Sequence, residues 1–398
     1  MDFNPLSPEV TANPYPYYAE LRNKAPVIWL EPFQSWALSR YADVDFALRN
    51  PQIFSSSVFT AEALGDLNPV PEVPWILDMN PPDHTRLRKL ANKGFAPRLI
   101  RALEPRVRAI TQDLIGALRS QPESDLVATL SGPLPTIVIA EMLGVEPERR
   151  DDFKVWSDDV VRATSRPTDE AERTEVRESL VGLRTYFEQM IERRRTEPGE
   201  DVISALVQAE EERDMLSAAE ILALAVLILV AGNETTTNLI GNAVLTLLDH
   251  PDELAKVRAD RSLVPALVEE VLRYNSPVQV IFRRTAQDVE LEGGKIPAGQ
   301  NVFLLLGSAN RDERQFPEPD HFDVARNPQD HVAFGYGIHY CLGAPLARLE
   351  GRSALQALLF DCPPFRLAVE RVAPIASLIV RGPQTLPLRF DTAGTAVA

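Results

Sequence analysis

Apolar residues recur along most of this 398-residue chain at spacings of three and four, the period of a helix with one buried face. This period predicts helices over Tyr41 to Asn50, Asp83 to Gly94, Ile100 to Arg119, Ile137 to Leu143, Val176 to Arg195, Ala218 to Asp249 and Leu263 to Tyr274. Strand-like segments are few and short, and they lie around Trp36, over 288–299 and over 301–306. The pattern therefore predicts a mainly α fold with small β-sheets.

The composition is that of one globular protein. Hydrophobic residues make up 45% of the chain and charged residues 25%, which provides for a substantial core. Because no linker, repeat or shift in composition divides the sequence, we expect a single large domain over residues 1–398. We expect residues 1–12 and 392–398 to be flexible termini.

The charge and the apolar runs exclude several classes of protein. A net charge of -16 argues against general nucleic-acid binding, which needs a basic surface. The longest apolar run, Ile221 to Gly232, is shorter than the ~20 residues of a membrane span. The N-terminal sequence lacks the pattern of a signal peptide, so we expect a cytoplasmic protein without a membrane anchor. Its two cysteines, Cys341 and Cys362, are then expected to be free thiols.

One segment departs from the acidic background. Residues Arg86 to Arg108 contain eight lysines and arginines and a single acidic residue, Glu104. Such a run can be a solvated helix face. It can also be a docking patch for an acidic macromolecular partner, steered by local charge.

The segment Phe334 to Gly343, FGYGIHYCLG, holds Cys341 and three glycines. Glycines permit a tight turn or the close approach of another group. A helix is predicted directly afterwards, with Pro345 in its first turn and an apolar stripe at Leu346, Leu349, Leu355, Leu358 and Leu359. The unpaired N–H groups at a helix N-terminus favour an anion, so the natural form of Cys341 is a thiolate.

Four roles are open to this cysteine. A buried structural cysteine does not need the glycines. A zinc site could use His331, His339 and Cys341, but this spacing supplies only one close pair of ligands. A cysteine nucleophile needs a histidine base, and His339 is poorly spaced for that role. The fourth role, a thiolate ligand to haem iron, agrees best with the flanking glycines, because a flat macrocycle must press against the loop.

The loop resembles the haem-binding signature of the cytochrome P450 family, Phe-x-x-Gly-x-His/Arg-x-Cys-x-Gly. The matching residues are Phe334, Gly337, His339, Cys341 and Gly343. The resemblance implies the cytochrome P450 fold and haem b as cofactor. It implies that Cys341 is the metal ligand, Phe334 shields its sulfur, His339 contacts a haem propionate and Gly343 belongs to the cofactor-binding loop.

A second motif lies in the middle of an apolar helix. Ala231, Gly232, Glu234 and Thr235 resemble the family's Ala-Gly-x-Glu/Asp-Thr motif. The resemblance implies three catalytic residues: Gly232 opens a groove for dioxygen, Thr235 organises hydrogen bonds to it, and Glu234 relays protons. From the residues alone, threonines here could instead bond to carbonyls one turn back.

The resemblance also names the residues that would balance the haem propionates. His84 and Arg88 lie four residues apart in a segment similar to the family's propionate-binding helix. A further arginine is expected after Phe282. The match favours Arg284, but the segment is one residue short, so Arg283 remains open.

Two more features follow by likeness. Glu270, Arg273 and Arg326 would form a buried structural ion network. The substrate-facing segments would be Val58 to Trp75, Leu224 to Val230, Val278 to Phe282 and Ser377 to Val380. The last two are apolar apart from Gln279 and Ser377, which favours a hydrophobic substrate such as a fatty acid, terpenoid, steroid or polyketide.

The resemblance implies a monooxygenase that inserts one atom of dioxygen into a small molecule. The chain has neither a flavin domain nor a set of iron–sulfur cysteines, so electrons should come from a ferredoxin or flavodoxin with its reductase. NAD(P)H is then an indirect reductant. A peroxide-using or non-oxygenating relative is one alternative, against which Glu234 and Thr235 argue. A haem sensor or carrier is another.

Overall fold

The computed structural model describes residues 3–57, 63–164, 169–211 and 216–391. Its α-helices are α1 (Pro8–Ala12), α2 (Tyr15–Lys24), α3 (Tyr41–Arg49), α4 (Asp83–Gly94), α5 (Pro97–Leu118), α6 (Pro133–Leu143), α7 (Arg150–Thr164), α8 (Glu170–Thr196), α9 (Val202–Glu211), α10 (Ala218–Asp249), α11 (Pro251–Ala259), α12 (Val264–Tyr274), α13 (Leu306–Ala309) and α14 (Ala344–Phe360).

The seven helices predicted from the sequence are all present, and α4 and α10 begin and end at the predicted residues. The helix predicted from Val176 begins earlier, at Glu170, because Asp169 caps it by accepting a hydrogen bond from the Glu172 backbone N–H at 3.0 Å. The helix after the cysteine loop is also confirmed, with its leucine stripe buried. Four further helices of nine or more residues were not predicted: α2, α7, α9 and α11.

The strands are β1 (Val27–Leu30), β2 (Ser35–Leu38), β3 (Phe54–Ser55), β4 (Glu123–Asp125), β5 (Val280–Thr285), β6 (Val289–Leu291), β7 (Gly294–Ile296), β8 (Asn301–Leu305), β9 (Phe365–Leu367) and β10 (Pro387–Phe390). The main sheet has the order β1-β2-β8-β5-β3, with β2 and β8 parallel and the other neighbours antiparallel. Smaller sheets join β4, β10 and β9, and β6 with β7. The predicted mainly α fold with small sheets is confirmed.

Residue contacts divide the chain into two compact units. Unit 1 comprises Met1–Ser55, Glu104–Leu134 and Thr235–Ala398, and unit 2 comprises Ser56–Leu103 and Pro135–Glu234. The boundary between Glu234 and Thr235 falls inside the continuous helix α10.

The two faces of the main sheet in unit 1 bury two clusters. One, here the first cluster, includes Leu48, Val302, Leu304 and Val332, and Ile281 packs against it. The second cluster lies on the other face and includes Val280, Phe303, Leu305, Phe3 and Val10. Successive residues of β5 therefore point to opposite faces, as the strand period requires.

The N-terminal segment corrects one expectation. Residues 1–12 were expected to be flexible, but Phe3 and Val10 are buried in the second cluster and Pro8–Ala12 forms α1. Burial of these two apolar side chains holds the segment against the sheet. Residues 1–2 and the predicted flexible segment 392–398 lie outside the described residues.

The predicted buried ion network in unit 1 is confirmed. Arg273 donates from Nε and Nη2 to the two carboxylate oxygens of Glu270, both at 2.8 Å, and Arg326 Nε donates to Oε1 at 3.1 Å. The side chains of Glu270 and Arg273 are fully buried. Loss of one partner would leave a buried charge without compensation, which is strongly destabilising.

By length and composition alone, α10 is long and apolar enough to cross a membrane. Half of the residues in its most apolar 18-residue stretch are buried inside the protein. Its polar side chains have interior partners, however. In unit 1, Thr237 donates to Ser131 O at 3.0 Å, and Asn242 donates to the carbonyls of Asn275 and Arg381 at 3.0 and 2.9 Å. These contacts are those of a core helix.

Candidate active site

The cysteine loop in unit 1 is closed by its own backbone. The Cys341 N–H donates to Phe334 O at 2.9 Å, and the Tyr340 N–H donates to Gly337 O at 3.1 Å. Gly343 is the residue that precedes the first turn of α14. Cys341 therefore lies just before a helix N-terminus, where the helix dipole favours negative charge on its sulfur.

Two glycines of the loop have backbone conformations that other residues rarely adopt. Gly335 and Gly337 both have φ of +69°. A Cβ at Gly337 would lie 2.5 Å from Leu48 O, so a side chain there would collide with backbone. At Gly343, a Cβ would meet no atom within 4 Å, so this position opens onto free space. The loop is thus tightly held on one side and open beside the cysteine, as a flat cofactor requires.

The geometry disfavours the zinc alternative. His331 Nε2 lies 3.0 Å from Glu269 Oε2, and its Nδ1 accepts from the Ala333 N–H at 3.3 Å, so both ring nitrogens are engaged. Among the residues that the structure describes, no three histidine, cysteine, aspartate or glutamate side chains converge on one point. Cys341 and Cys362 are not joined in a disulfide.

Phe334 contacts residues that the sequence did not point to. The guanidinium carbon of Arg348 lies 4.6 Å from the centroid of the Phe334 ring. Arg348 in turn donates to both carboxylate oxygens of Glu269, at 2.7 and 2.8 Å. The pair is separated by 79 positions in the chain, so no local motif signals it.

One face of α10 is open along its middle. Leu227, Val230, Glu234 and Thr235 are half-buried and Ala231 is exposed, whereas most of the neighbouring positions are buried. Their spacing of three and four places them on one helix face. An exposed alanine at the centre of an apolar core helix indicates that this face looks onto free space.

Gly232 packs against a side chain of α6. A Cβ at this position would lie 2.1 Å from Ile139 Cδ1, so the glycine lets α6 approach α10 within unit 2. The neighbouring Asn233 donates to Ser157 Oγ at 3.0 Å and accepts from Thr136 Oγ1 at 2.9 Å. The role of Gly232 beside dioxygen stays a prediction.

Glu234 lies in a setting that stabilises its protonated form. Burial raises the pKa of its carboxyl, and the nearby Asp158 carboxylate raises it further, while Lys154 lowers it. All three residues belong to unit 2. A raised pKa suits a carboxyl group that donates a proton.

The two candidate propionate arginines point to opposite faces of the main sheet. Arg283 is paired with Val302, a residue of the first cluster, and Arg284 is paired with Asn301. The first cluster also contains Leu48, whose carbonyl contacts the cysteine loop at Gly337. Directly paired residues share a face, so Arg283 lies on the side of the cysteine loop.

Arg283 also has the electrostatic setting of a residue that awaits an anion. Burial lowers its pKa to about 10, and none of the described carboxylates pairs with it. Its one hydrogen bond within the described chain goes from Nη1 to Phe282 O at 2.7 Å. Arg284 Nε is buried and has no hydrogen-bond partner among the described residues, but Arg284 lies on the other face. The geometry therefore favours the alternative, Arg283, over Arg284.

Of the other three predicted propionate residues, His339 ends the turn Gly337–His339 of the cysteine loop in unit 1, and His84 and Arg88 lie on α4 in unit 2. His84 is buried, and Arg88 is half-buried with its Nε donating to Asn92 Oδ1 at 3.2 Å. Arg86, at the start of the basic run, forms an ion pair with Glu220. Lys89 is exposed.

Two of the predicted substrate-facing segments meet in unit 1. Val278 and Val380 form an antiparallel bridge, and the Gln279 N–H donates to Ile379 O at 2.7 Å. The Ser377 hydroxyl accepts from two backbone N–H groups of its own turn, at 3.1 and 3.2 Å. Gln279 is buried, and its Nε2 donates to Ser276 O at 2.7 Å. The Ser377 hydroxyl and the Gln279 amide nitrogen are thus engaged internally, whereas Gln279 Oε1 is buried without a hydrogen-bond partner among the described residues.

The other two segments lie in unit 2. Leu224 is buried, whereas Leu227 and Val230 are part of the open face of α10. Of the segment Val58 to Trp75, residues 58–62 lie outside the described residues.

Comparison with known proteins gives the following matches. A family model described as Cytochrome P450 matches residues 8–363. The chain is 43% identical over 367 residues to Cytochrome P450 107B1 of Saccharopolyspora erythraea, covering 89% of each chain. It is 42% identical over 384 residues to a Vitamin D(3) 25-hydroxylase of Pseudonocardia autotrophica, covering 94% of this chain and 93% of that one. The crystal structure of CYP109E1 from Bacillus megaterium in complex with corticosterone superposes with a TM-score of 0.87 at 39% identity, covering 96% and 100% of the chains.

Proposed function

Because the chain belongs to the cytochrome P450 family, we propose that it inserts one oxygen atom of dioxygen into a hydrophobic small molecule, with electrons from a separate ferredoxin system. Membership of the family makes the protein a monooxygenase, an oxidoreductase that carries haem b. NAD(P)H is its indirect electron source, through redox partners. The reaction then converts R–H, O2, NAD(P)H and a proton into R–OH, water and NAD(P)+.

The observation that carries the proposal is the cysteine loop. Its backbone is closed from Phe334 to Cys341, its glycines hold it against Leu48, and the side at Gly343 is open. Cys341 would hold the haem iron through its sulfur, with Phe334 against that sulfur. When bound, haem b supplies the iron that accepts electrons and activates dioxygen.

The open face of α10 supplies the proton chemistry. Burial raises the pKa of Glu234, which favours its carboxyl as a proton donor. The Thr235 hydroxyl lies on the same face, one residue further along. We assign Glu234 to proton supply and Thr235 Oγ1 to proton placement. Leu227 and Val230 exclude water from this face. Gly232 is assigned to open this face for dioxygen, and it also packs against Ile139.

Four residues would neutralise the two haem propionates: His84, Arg88, His339 and Arg283. The sheet face and the buried, uncompensated charge of Arg283 support its choice over Arg284.

Replacement of Arg283 by glutamine is expected to accelerate haem loss at least about tenfold, because a hydrogen bond to a charged group contributes roughly 1.5 to 3 kcal/mol. Arg284→Gln is the matched control, with the same change of charge on the other face. The measurement is the rate of haem transfer to an excess of apomyoglobin. Faster loss from the Arg284 variant than from the Arg283 variant would reverse the assignment.

The proposed substrate is a hydrophobic molecule of the size of a fatty acid, terpenoid, steroid or polyketide. Most residues of these segments are apolar, and the Ser377 hydroxyl and Gln279 Nε2 are engaged internally, which supports this class. Gln279 Oε1 is left to accept a hydrogen bond from a ligand. The names of two relatives mention vitamin D(3) and corticosterone, which makes steroid-like compounds the first to test.

The electron donor is proposed to dock on exposed basic residues of the segment Arg86 to Arg108. Lys93, Arg98 and Arg101 are exposed in unit 2. Their charge stands out in a chain of net charge -16 and complements an acidic ferredoxin or flavodoxin.

Replacement of Lys93, Arg98 and Arg101 by glutamine is expected to weaken donor binding about tenfold, since exposed charge pairs contribute roughly 0.2 to 1 kcal/mol each. The control replaces Arg366, Arg371 and Arg389, three exposed arginines of unit 1, and so changes the net charge equally. The measurement is the donor concentration for half-maximal haem reduction at low and high salt. If both triple variants behave alike, docking occurs elsewhere.

The test of the whole function combines binding with turnover. Ligands of the four classes are screened for a shift of haem absorption to the high-spin form. The best ligand is then incubated with NAD(P)H, reductase and ferredoxin, and separately with hydrogen peroxide. Oxygenated product with reductant supports the proposal. Product with peroxide alone favours the peroxide-using alternative, and NAD(P)H consumption that no ligand stimulates favours a haem sensor or carrier.

We also propose that residues of both units belong to one cytoplasmic domain. The family model spans parts of both units without interruption, which supports this organisation.

A further inference from the structure

An ionic cluster of Glu269, His331 and Arg348, here called the Glu269 cluster, lies beside the cysteine loop in unit 1. Arg348, in the second turn of α14, binds Glu269 through two hydrogen bonds, and His331 lies 3.0 Å from the same carboxylate. Burial by itself would raise the pKa of Glu269. Hydrogen bonds from Arg348 and His331 outweigh burial and hold that pKa at about 2. Glu269 is therefore charged and neutralises Arg348.

The cluster contacts the loop at two residues that adjoin Cys341. Arg348 stacks on Phe334, with 4.6 Å between guanidinium carbon and ring centroid, and its Nη1 donates to Tyr340 Oη at 3.2 Å. The Phe334 carbonyl accepts from the Cys341 N–H, and Tyr340 precedes Cys341 in the chain. Movement of Arg348 would therefore release both neighbours of the cysteine.

Water screens the charges of the Glu269 cluster only in part. The side chains of Glu269 and Arg348 are 13% and 26% exposed, so water screens them less than it screens surface ion pairs. With both present, their fields largely cancel at the cysteine. Removal of either one would leave the charge of the other acting on the sulfur.

We propose that Arg348 is a positioning residue for the Cys341 sulfur: it holds Phe334 and Tyr340, and its balance with Glu269 sets the reduction potential of the haem. The inference rests on the proposed function, because it takes Cys341 as the iron ligand. None of the three cluster residues was singled out by the sequence for this role, although His331 was considered as a zinc ligand.

The charge balance predicts shifts of opposite sign. One-electron reduction adds negative charge, so Glu269→Gln, which leaves Arg348 positive, should raise the potential. Arg348→Gln, which leaves Glu269 negative, should lower it. At a fixed ambient potential, we expect the ratio of reduced to oxidised haem in each single variant to differ about tenfold from that of the parent. This difference is equivalent to ~59 mV for one electron. The double variant should return towards the parent value.

The positioning role predicts a separate effect for Arg348→Lys. Lysine keeps the charge but loses the planar fork that binds Glu269 twice and stacks on Phe334. The reduction potential of the haem in Arg348→Lys should stay near that of the parent. Its reduced carbonyl complex should convert more readily on mild heating to the form whose band lacks the thiolate red shift.

Asp391→Asn is the control for charge, since Asp391 pairs with Arg366 at 2.7 Å on an exposed strand end. It changes the net charge as Glu269→Gln does and should leave the potential unmoved. Shifts of the same sign in both single variants, or none, would overturn the inference. If Arg348→Gln fails to retain haem, Glu269→Gln alone must still raise the potential. A parent protein without the thiolate band would overturn the proposed function as well.

Discussion

Substitution of Cys341 by serine is expected to lower product formation more than about a hundredfold. Replacement of a residue that only hydrogen-bonds to a metal ligand already lowers metal affinity or activity about 10- to 100-fold, and loss of the ligand itself should have a larger effect. Serine keeps the small side chain, and its backbone N–H can still donate to Phe334 O, so the loop should retain its shape. What is lost is the sulfur that donates electron density to the iron. The measurement is product formed per haem with NAD(P)H and redox partners.

The matched control is Cys362→Ser. Cys362 is also a half-buried free thiol, but burial raises its pKa to about 11, so it carries no charge at neutral pH. Its substitution should leave turnover unchanged. Normal product formation by the Cys341 variant, or its loss in the Cys362 variant, would show that the sulfur chemistry has been placed at the wrong residue.

Substitution of Thr235 by alanine is expected to uncouple NAD(P)H oxidation from product formation. The Thr235 hydroxyl is assigned to direct a proton so that the O–O bond breaks with formation of water. Without that hydroxyl, the reduced oxygen leaves as hydrogen peroxide. A lost hydrogen bond in a water-poor site costs on the order of 1 to 3 kcal/mol, so the ratio of product to peroxide should fall about tenfold or more.

Thr237→Ala controls for the loss of a threonine from the same helix. Its hydroxyl donates to Ser131 O at 3.0 Å, so this variant should lose some stability and remain coupled. NAD(P)H, peroxide and product are measured on one preparation of each variant. A fully coupled Thr235 variant would mean that this enzyme places its protons by other groups.

The sequence predicted long helices well and short strands less well. The pattern of α10 is contained in its own 32 residues, and its bounds were predicted correctly. Strand β5, Val280–Thr285, was not predicted because it contains two arginines and its stability comes from pairing with β8 and β3. Helices α7 and α11 carry many charged residues, which weakens their apolar period.

The candidate site was predictable where its chemistry is local. The cysteine loop lies within ten consecutive residues, and the Glu234–Thr235 pair is adjacent. The choice between Arg283 and Arg284 was not predictable, because it depends on the pairing of β5, and a shift of one residue reverses the face. The contact of Gly232 with Ile139 and the pair of Glu269 with Arg348 join distant positions, which one sequence cannot reveal.

The most direct test of the central claim, a haem iron held by the Cys341 sulfur, is the absorption spectrum of the purified, reduced protein with and without carbon monoxide. The proposed ligation predicts the red-shifted band typical of a thiolate opposite carbon monoxide, and its absence from Cys341→Ser. A parent protein that binds no haem would contradict the claim. So would a band at the position typical of histidine ligation, or a red-shifted band that survives in Cys341→Ser.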